Sequence, residues 1–191
     1  MAQREQLGKQ DEYDWENNHS ASEERIICAL NTVRKHVTEG LELNDEECGY
    51  IAYACTNRLS FRDALITMCV AKCDEQEVSE RDVLTLAFLP HSKEAVKKTG
   101  EVLDEHMDND HEENQQMRAL GELCKHIGEM DGTPDRYRAM MFAVYGYCCW
   151  WNAQGDEALR AATYAKTLDD TCSLAAIVVK AAIYGVMRTI A

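Results

Sequence analysis

The sequence predicts an all-α fold, a single domain of about eight helices packed as antiparallel hairpins. The 191 residues include only 2 prolines and few β-branched runs, a composition that favours helices over strands. Residues that cap helix N-termini recur along the first half, and apolar residues repeat at helical spacing through most of the chain. With 46% hydrophobic residues, a chain of this length can bury one core without disulfides or metals.

Four segments of the first half begin with the same motif, an N-cap acceptor followed three residues later by an acid. In this motif the cap side chain accepts a hydrogen bond from the backbone of the third residue, and the acid accepts one from the cap's own amide. The motif therefore predicts four helix starts. The pairs are Ser20 with Glu23, Asn44 with Glu47, Ser60 with Asp63, and Ser79 with Asp82.

The four helices carry apolar stripes and have recognisable ends. Residues 1–19 precede them, lack helical periodicity, and are predicted to form a polar tail, while residues 20–191 form the domain. Gly40 suits the left-handed residue that ends a helix, and Pro90 stops the fourth helix. Helical spacing predicts a core formed by Ile26, Leu30, Val33, Val37, Ile51, Ala54, Cys55, Leu65, Met68, Cys69, Val83, Leu84 and Ala87.

The third and fourth helices each have an arginine in the first turn, Arg62 before Asp63 and Arg81 before Asp82. A cation there opposes the helix dipole, at a cost of roughly 0.3 to 1 kcal/mol. We expect a carboxylate on a neighbouring helix to compensate, which gives Arg62, Asp63 and Arg81 structural roles. The alternative is that both arginines are solvated.

The helical pattern of residues 92–129 weakens at the acidic segment EHMDNDHEEN, which begins at Glu105. This segment predicts a surface bend or a solvated helix face between two helices. His106 and His111 lie five residues apart, whereas two ligands on one helix face need a spacing of three or four. No Cys-x-x-Cys pair occurs either, so we predict neither a metal site nor a cofactor.

The 9 cysteines are an odd number, and the first residues lack the apolar core of a signal peptide. A secreted protein would avoid an unpaired thiol, so we expect a reducing, cytoplasmic compartment and no structural disulfide. Free cysteine packs as a small hydrophobe. Packing in the core is therefore predicted for the thiols at apolar helix positions, Cys28, Cys55, Cys69, Cys124 and Cys148.

The linker GEMDGTP separates the helices of residues 20–129 from a C-terminal unit, residues 134–191. The first helix of this unit, which ends near Trp151, is apolar almost all round, and such a helix belongs in the middle of a fold. Gly155 and Asp156 then break the pattern before an alanine-rich second helix. Small side chains let helices approach closely, so the two predict a tight antiparallel hairpin.

Gly146 is predicted to lie at the contact between these two helices, where a larger side chain would force them apart. The last helix of the chain begins at Ser173 and is apolar except for Lys180 and Arg188. We predict that it packs on the hairpin and that Lys180 faces water.

The stretches LNDEECGYIAYACTNRLSFRDALITM and MFAVYGYCCWWNAQGDEALRAATYAKTLDDTCSLA resemble an actinobacterial family, domain of unknown function 4192. In that family an Arg-Asp pair opens a helix, and an apolar helix, a Gly-Asp turn and an alanine-rich helix follow. Arg62 and Asp63 match the pair, and Gly155 and Asp156 match the turn. The resemblance covers residues 41–187 and implies no known activity, cofactor or catalytic residue.

A second pattern falls on the same hairpin. Gly146, Ala158 and Ala165 have the spacing of a tetratricopeptide repeat, and Phe142 stands at its aromatic position. Asp170 stands where the repeat has a proline, and the chain has no evident second copy. The pattern therefore predicts one tetratricopeptide-like hairpin rather than a repeat array.

The charge balance disfavours two classes of partner. With 34 acids against 20 bases, a net charge of -14, the chain lacks the basic surface that nucleic acids and anionic membranes require. A DNA mimic is the alternative, but the acids are scattered over many helices. The longest apolar run is about thirteen residues, shorter than the roughly 18 of a membrane span.

No catalytic motif occurs, neither Gly-x-Ser-x-Gly, a phosphate loop, His-Glu-x-x-His nor a dinucleotide fingerprint, so we predict that the protein is not an enzyme. The predicted function is a non-catalytic module that binds a protein partner. The alternative is an enzyme or small-ligand binder with a pocket between helices.

Two neighbouring tryptophans suggest where the partner binds. Adjacent helix residues point about 100° apart, so Trp150 and Trp151 cannot both enter one core layer. Trp151 continues the apolar stripe and is assigned to the core, whereas Trp150 and Tyr147 are predicted to reach the surface and contact the partner. The alternative is that Trp150 packs under the last helix, against Ile177 or Val178.

Overall fold

The computed structural model describes residues 22–109 and 112–186. In these two ranges the chain forms nine α-helices and no β-strand, which confirms the predicted all-α class. One continuous cluster of buried side chains includes residues from every helix, so the helices form a single domain. The helices are α1 Glu23–Glu39, α2 Asp45–Asn57, α3 Leu59–Val70, α4 Glu80–Phe88, α5 Lys93–Asn109, α6 Gln115–Glu129, α7 Asp135–Trp151, α8 Gly155–Leu168 and α9 Ser173–Ile183.

Helix α7 lies at the centre of the domain. It packs against α6, α8, α9 and α2, and 13 of its 17 residues are buried. The sequence predicts this position, because a helix without a polar face is stable only when other helices surround it. The predicted hairpin of α7 and α8 forms, and α9 packs on both of its helices while Lys180 is exposed.

Two of the four predicted capping motifs form in full. The Asn44 side chain accepts from the Glu47 amide at 3.0 Å, and Glu47 accepts from the Asn44 amide at 2.9 Å. Ser79 and Asp82 make the same reciprocal pair at the start of α4. At α1 the N-cap is Ser22, and the predicted cap, Ser20, lies outside the described residues.

The predicted cap at Ser60 is wrong. Helix α3 already begins at Leu59, because a single residue, Arg58, separates it from α2. Ser60 therefore lies inside the helix, and its hydroxyl donates a 2.7 Å hydrogen bond to the Ala87 carbonyl at the end of α4. The side chain ties two helices together instead of starting one.

The predicted core is confirmed for the first four helices, with every residue buried except Leu84, which is half-buried. Four of the five cysteines assigned to the core are buried, but Cys28 is exposed, so that assignment is wrong. Helix α1 ends at Gly40 as predicted. This residue has a φ of 74°, and its amide donates to the His36 carbonyl.

The break in the C-terminal hairpin lies earlier than predicted. The turn consists of residues 152–154, with Ala153 in the left-handed region at a φ of 58°. Gly155 and Asp156, predicted to form the break, belong to the first turn of α8. Asp156 stabilises the helix there, because an acid in the first turn interacts favourably with the helix dipole.

Candidate binding groove

One of the two adjacent tryptophans lies where it was predicted, and the other does not. Trp151 is fully buried, as expected for a core residue. Trp150 is only 8% exposed, so the prediction that it reaches the surface is wrong. Its indole Nε1 donates to the carbonyl of Val186, and the segment that follows α9 therefore lies over it.

Tyr147, the other predicted contact residue, is half-buried and lines a groove. The groove has a volume of about 470 Å³ and is bordered by α3, α4, α5, α7 and α9. Arg62 and Asp63 also line it, and we call it the Arg62 groove. Its apolar lining includes Ile66, Leu86, Val96, Leu103, Leu174 and Ile177.

The rim of the Arg62 groove is apolar and open to solvent. Val96 on α5 is 61% exposed and Ile177 on α9 is 59% exposed, whereas Ile66, Leu86 and Leu174 are buried. Helix α5 packs on α3 and α4, while α9 packs on α7 and α8. Since α5 and α9 rest on different helices, the surface between them forms a trough.

Arg62 is a buried cation in this groove, only 9% exposed. Its Nε and Nη2 donate to one carboxylate oxygen of Asp63, at 2.9 and 2.7 Å. The expectation of a carboxylate on a neighbouring helix is therefore wrong, because the next residue of the same helix provides it. Arg81 is exposed, which matches the alternative of a solvated arginine for that residue alone.

The guanidinium of Arg62 retains donor capacity. It carries five N–H groups, of which Asp63 accepts two bonds on a single oxygen. In the described chain Nη1 meets the thioether sulfur of Met140 at 3.9 Å, and a thioether is a weak acceptor. A buried charge is costly unless it is fully paired, so an additional oxygen acceptor would be favoured here.

Tyr147 supplies a neutral polar group to the same groove. Burial raises the pKa of its phenol well above the usual range, and the Asp63 carboxylate acts in the same direction. The phenol therefore keeps its proton at neutral pH and can donate a hydrogen bond. The groove thus combines an apolar rim with the ion pair of Arg62 and Asp63, the Tyr147 phenol, and the polar side chains of Thr67, His91 and Thr99.

A second, smaller cavity of about 290 Å³ lies between α1 and α2. Tyr50 lines it and is 4% exposed, and its hydroxyl has no hydrogen-bond partner among the described residues. The Arg25 guanidinium lies over the Tyr50 ring, 4.7 Å from the centroid, and pairs with Glu46 at 3.1 Å. Burial raises the pKa of Tyr50, so its hydroxyl is a neutral donor.

Two asparagines that sequence reasoning missed form a buried junction. The Asn114 amide donates to the Asn152 side chain at 3.0 Å, and Asn152 donates back to the Asn114 carbonyl at 3.1 Å. The Asn114 side chain also donates to the carbonyls of Cys69 and Val70. The only sequence signal is that Asn114 precedes a helical pattern, which predicts a cap but not a partner 38 residues away.

The acidic segment contacts the connection between α3 and α4. His106 Nε2 lies 2.9 Å from both carboxylate oxygens of Glu77, while His111 lies outside the described residues. In the part of the chain that the structure describes, no group of three or more His, Cys, Asp or Glu side chains is arranged to hold a metal ion. Over the same residues, no helix combines the length and the apolar composition needed to cross a membrane.

Comparison with known proteins found no matching family model, no similar curated protein and no similar solved structure. The resemblance to the actinobacterial family and to a tetratricopeptide hairpin therefore stays a prediction.

Proposed function

We propose that the protein is a non-catalytic interaction module that binds an amphipathic helix of a partner protein in the Arg62 groove. The observation that carries the proposal is the incompletely paired guanidinium of Arg62 in a groove with an exposed apolar rim. Exposed contiguous apolar surface is typical of interaction sites. An acceptor from the partner would complete the pairing of a charge that is already buried.

The groove defines the chemistry of the partner helix. An amphipathic helix fills an apolar groove with side chains at positions i, i+3, i+4 and i+7, which suits a trough flanked by Val96 and Ile177. A glutamate or aspartate on the same face would accept from Arg62, and the Tyr147 hydroxyl offers a second bond. The net charge of -14 favours a partner whose remaining surface is basic, because complementary potentials speed association.

The test uses the full-length protein and a displayed library of helical peptides with this apolar spacing. Each selected peptide is labelled, and its Kd is measured by fluorescence anisotropy against the parent, Val96→Asp, Ile177→Asp and a control, Leu41→Asp. Leu41 is also exposed and apolar, but it lies in the connection between α1 and α2. Either groove substitution should raise the Kd about tenfold or more, whereas the control should change it less than about twofold.

Two results would contradict the proposal: selected peptides that bind all four proteins equally, or a selection whose peptides lack a carboxylate facing Arg62. A photo-crosslinking residue at position 96, with position 41 as its control, extends the test to the native partner. The crosslinked segment of that partner should be an amphipathic helix with a glutamate or aspartate on its apolar face.

The cavity at Tyr50 favours a second candidate function, binding of a small ligand. A buried hydroxyl without a partner costs about 1–3 kcal/mol. The Tyr50 oxygen is itself inaccessible to solvent, so a ligand with a carbonyl or hydroxyl oxygen would satisfy it only after the ring turns toward the cavity. Fragments screened by ligand-observed nuclear magnetic resonance should therefore include carbonyl compounds that bind the parent and not Tyr50→Phe. If no fragment distinguishes the two proteins, the cavity is not a ligand site.

We also propose a relationship to the actinobacterial family on the basis of the matched residues. Support comes from Arg62 and Asp63 near the start of α3 and from Gly155 and Asp156 in the first turn of α8. An experimental structure of a family member should superimpose on α2 to α9. A different helix order in that structure would end the proposal.

A further inference from the structure

Three tyrosine rings form a row between α2 and the start of α7. The Tyr50 and Tyr53 rings have centroids 6.4 Å apart, the Tyr53 and Tyr137 rings have centroids 6.3 Å apart, and both pairs are stacked. The Arg25 guanidinium lies over the Tyr50 ring, 4.7 Å from its centroid. At the other end, the Arg136 guanidinium lies 5.8 Å from the centroid of Tyr137. We call these five residues the tyrosine row, and none of them lines the Arg62 groove.

The accessible side of the tyrosine row is basic. Its two end rings are buried, whereas Tyr53 is half-buried and Arg136 is exposed. The Arg136 Nη2 donates to the Asn57 side chain at 3.0 Å, and Arg58 is the next residue of the chain. The Arg58 guanidinium lies over the Phe88 ring and makes no ion pair among the described residues. Guanidinium groups bind carboxylates and stack on aromatic faces, so an acidic segment with aromatic side chains fits this surface.

One segment of the same chain has this composition. Residues 11–16, DEYDWE, lie outside the described residues and contain four carboxylates and two aromatic rings. The described chain begins at Ser22, and Arg25, at one end of the tyrosine row, follows three residues later. Trp15 precedes Ser22 by seven residues, which can span roughly 23 Å, whereas the ring separations are 6.4 and 6.3 Å. The segment can therefore reach Tyr53, and its attachment to α1 raises its effective concentration there.

We propose that residues 11–16 bind the tyrosine row within the same molecule. Trp15 would stack on the half-buried Tyr53, and the neighbouring carboxylates would pair with Arg136 and Arg58. Because the net charge is -14, most of the protein surface repels an acidic segment, and a surface that presents arginines attracts it. The bound segment would cover the connection between α2 and α3 and the start of α7. This surface would then be an internal contact rather than a site for another protein.

The test maps what residues 11–16 contact in the full-length protein. The photo-crosslinking residue benzoylphenylalanine replaces Gln10, which leaves the segment itself intact. After irradiation and digestion with trypsin, mass spectrometry should place the crosslinks of position 10 within residues 50–59 and 133–140. Irradiation of a mixture with ¹⁵N-labelled protein should show that both crosslinked peptides come from one molecule.

Two variants and two matched controls test the specificity of the contact. Trp15→Ala and Arg136→Glu should each lower the crosslink yield about fivefold, because they remove the stacking ring and the attracting cation. Leu7→Ala, outside the segment, and Arg81→Glu, at an exposed arginine of α4, should leave the yield unchanged. Trp15 precedes the first helix, so its variant tests the contact even if Arg136→Glu does not fold. The proposal is overturned if the crosslinks lie elsewhere, for example at Val96 in the Arg62 groove, if they join two molecules, or if the controls lower the yield as much as Trp15→Ala.

Discussion

Gly146 sets how closely α7 and α8 approach, and its replacement tests the hairpin. A Cβ at this position would lie 3.2 Å from the Ala158 carbonyl oxygen and 3.3 Å from the Ala162 amide nitrogen. Both are backbone atoms of α8, so the helix itself must shift by a few tenths of an ångström to admit a methyl group. The prediction that Gly146 lies at the helix contact is confirmed.

The magnitude follows from two opposing effects. Alanine inside a helix is about 1 kcal/mol more favourable than glycine, whereas overpacking costs about 1–3 kcal/mol. Gly146→Ala should therefore destabilise the fold by about 1 kcal/mol, and Gly146→Leu by about 3 kcal/mol or more. For a chain of this size each kcal/mol lowers the Tm by about 2–4 °C, so Gly146→Leu should melt roughly 6–12 °C lower.

Gly100 provides the matched control. It lies inside α5, and a Cβ there would meet no atom of the described chain within 4 Å. Gly100→Ala should therefore raise stability by about 0.5–1 kcal/mol through helix propensity alone. Urea unfolding followed by circular dichroism gives both free energies. If Gly146→Ala stabilises the protein as much as Gly100→Ala does, the tight backbone contact between α7 and α8 does not exist.

Substitutions at three further positions test the buried junction, a helix end and the groove. Asn152→Ala leaves the buried Asn114 backbone N–H without a partner, while the Asn114 carbonyl still accepts from the Arg118 amide. The substitution should cost about 1–3 kcal/mol in urea unfolding, and an unchanged free energy of unfolding would contradict the junction. Gly40→Ala should lower the free energy of unfolding by about 1–2 kcal/mol, because Gly40 has a φ of 74°. Gly40→Asn should lose much less stability, and thermal melts of both variants measure the difference. Arg62→Met should change the free energy of unfolding by less than about 1 kcal/mol, because apolar residues replace buried ions well. The same substitution should raise the Kd of the selected peptides about tenfold. An unchanged Kd would show that Arg62 is not part of the proposed site.

The sequence predicts those parts of the fold that depend on neighbouring residues. Capping by Asn44 and Ser79, the end of α1 at Gly40 and the buried stripes all follow from spacings of three or four residues. Ser60 begins the same local motif but does not cap a helix. What differs is the single-residue connection at Arg58, which starts α3 early and points Ser60 at α4.

Contacts between distant segments account for the other errors. Helical geometry correctly separates Trp150 from Trp151, but it cannot show that a carbonyl 36 residues later lies over the Trp150 indole. The sequence does not predict the pair of Asn114 and Asn152 either, because no local pattern around one residue specifies the other. A periodicity gives the side of a helix on which a residue lies, and tertiary packing decides what covers that side.

The Arg62 groove shows how such packing creates a candidate site from residues that look ordinary in the sequence. Helix α3 is buried on nearly all sides, so the cation near its start is enclosed although a dipole argument alone would place it in water. Val96 belongs to a polar stretch, KEAVKKTG, and Ile177 to an apolar one, yet both end up on the rim because α5 and α9 rest on different helices. Arg62 and the apolar rim line the same groove, so a partner that places a carboxylate on Arg62 would gain charge pairing and apolar contact together. That coupling is why an amphipathic helix with a central acid suits the groove better than a free anion or a purely apolar segment.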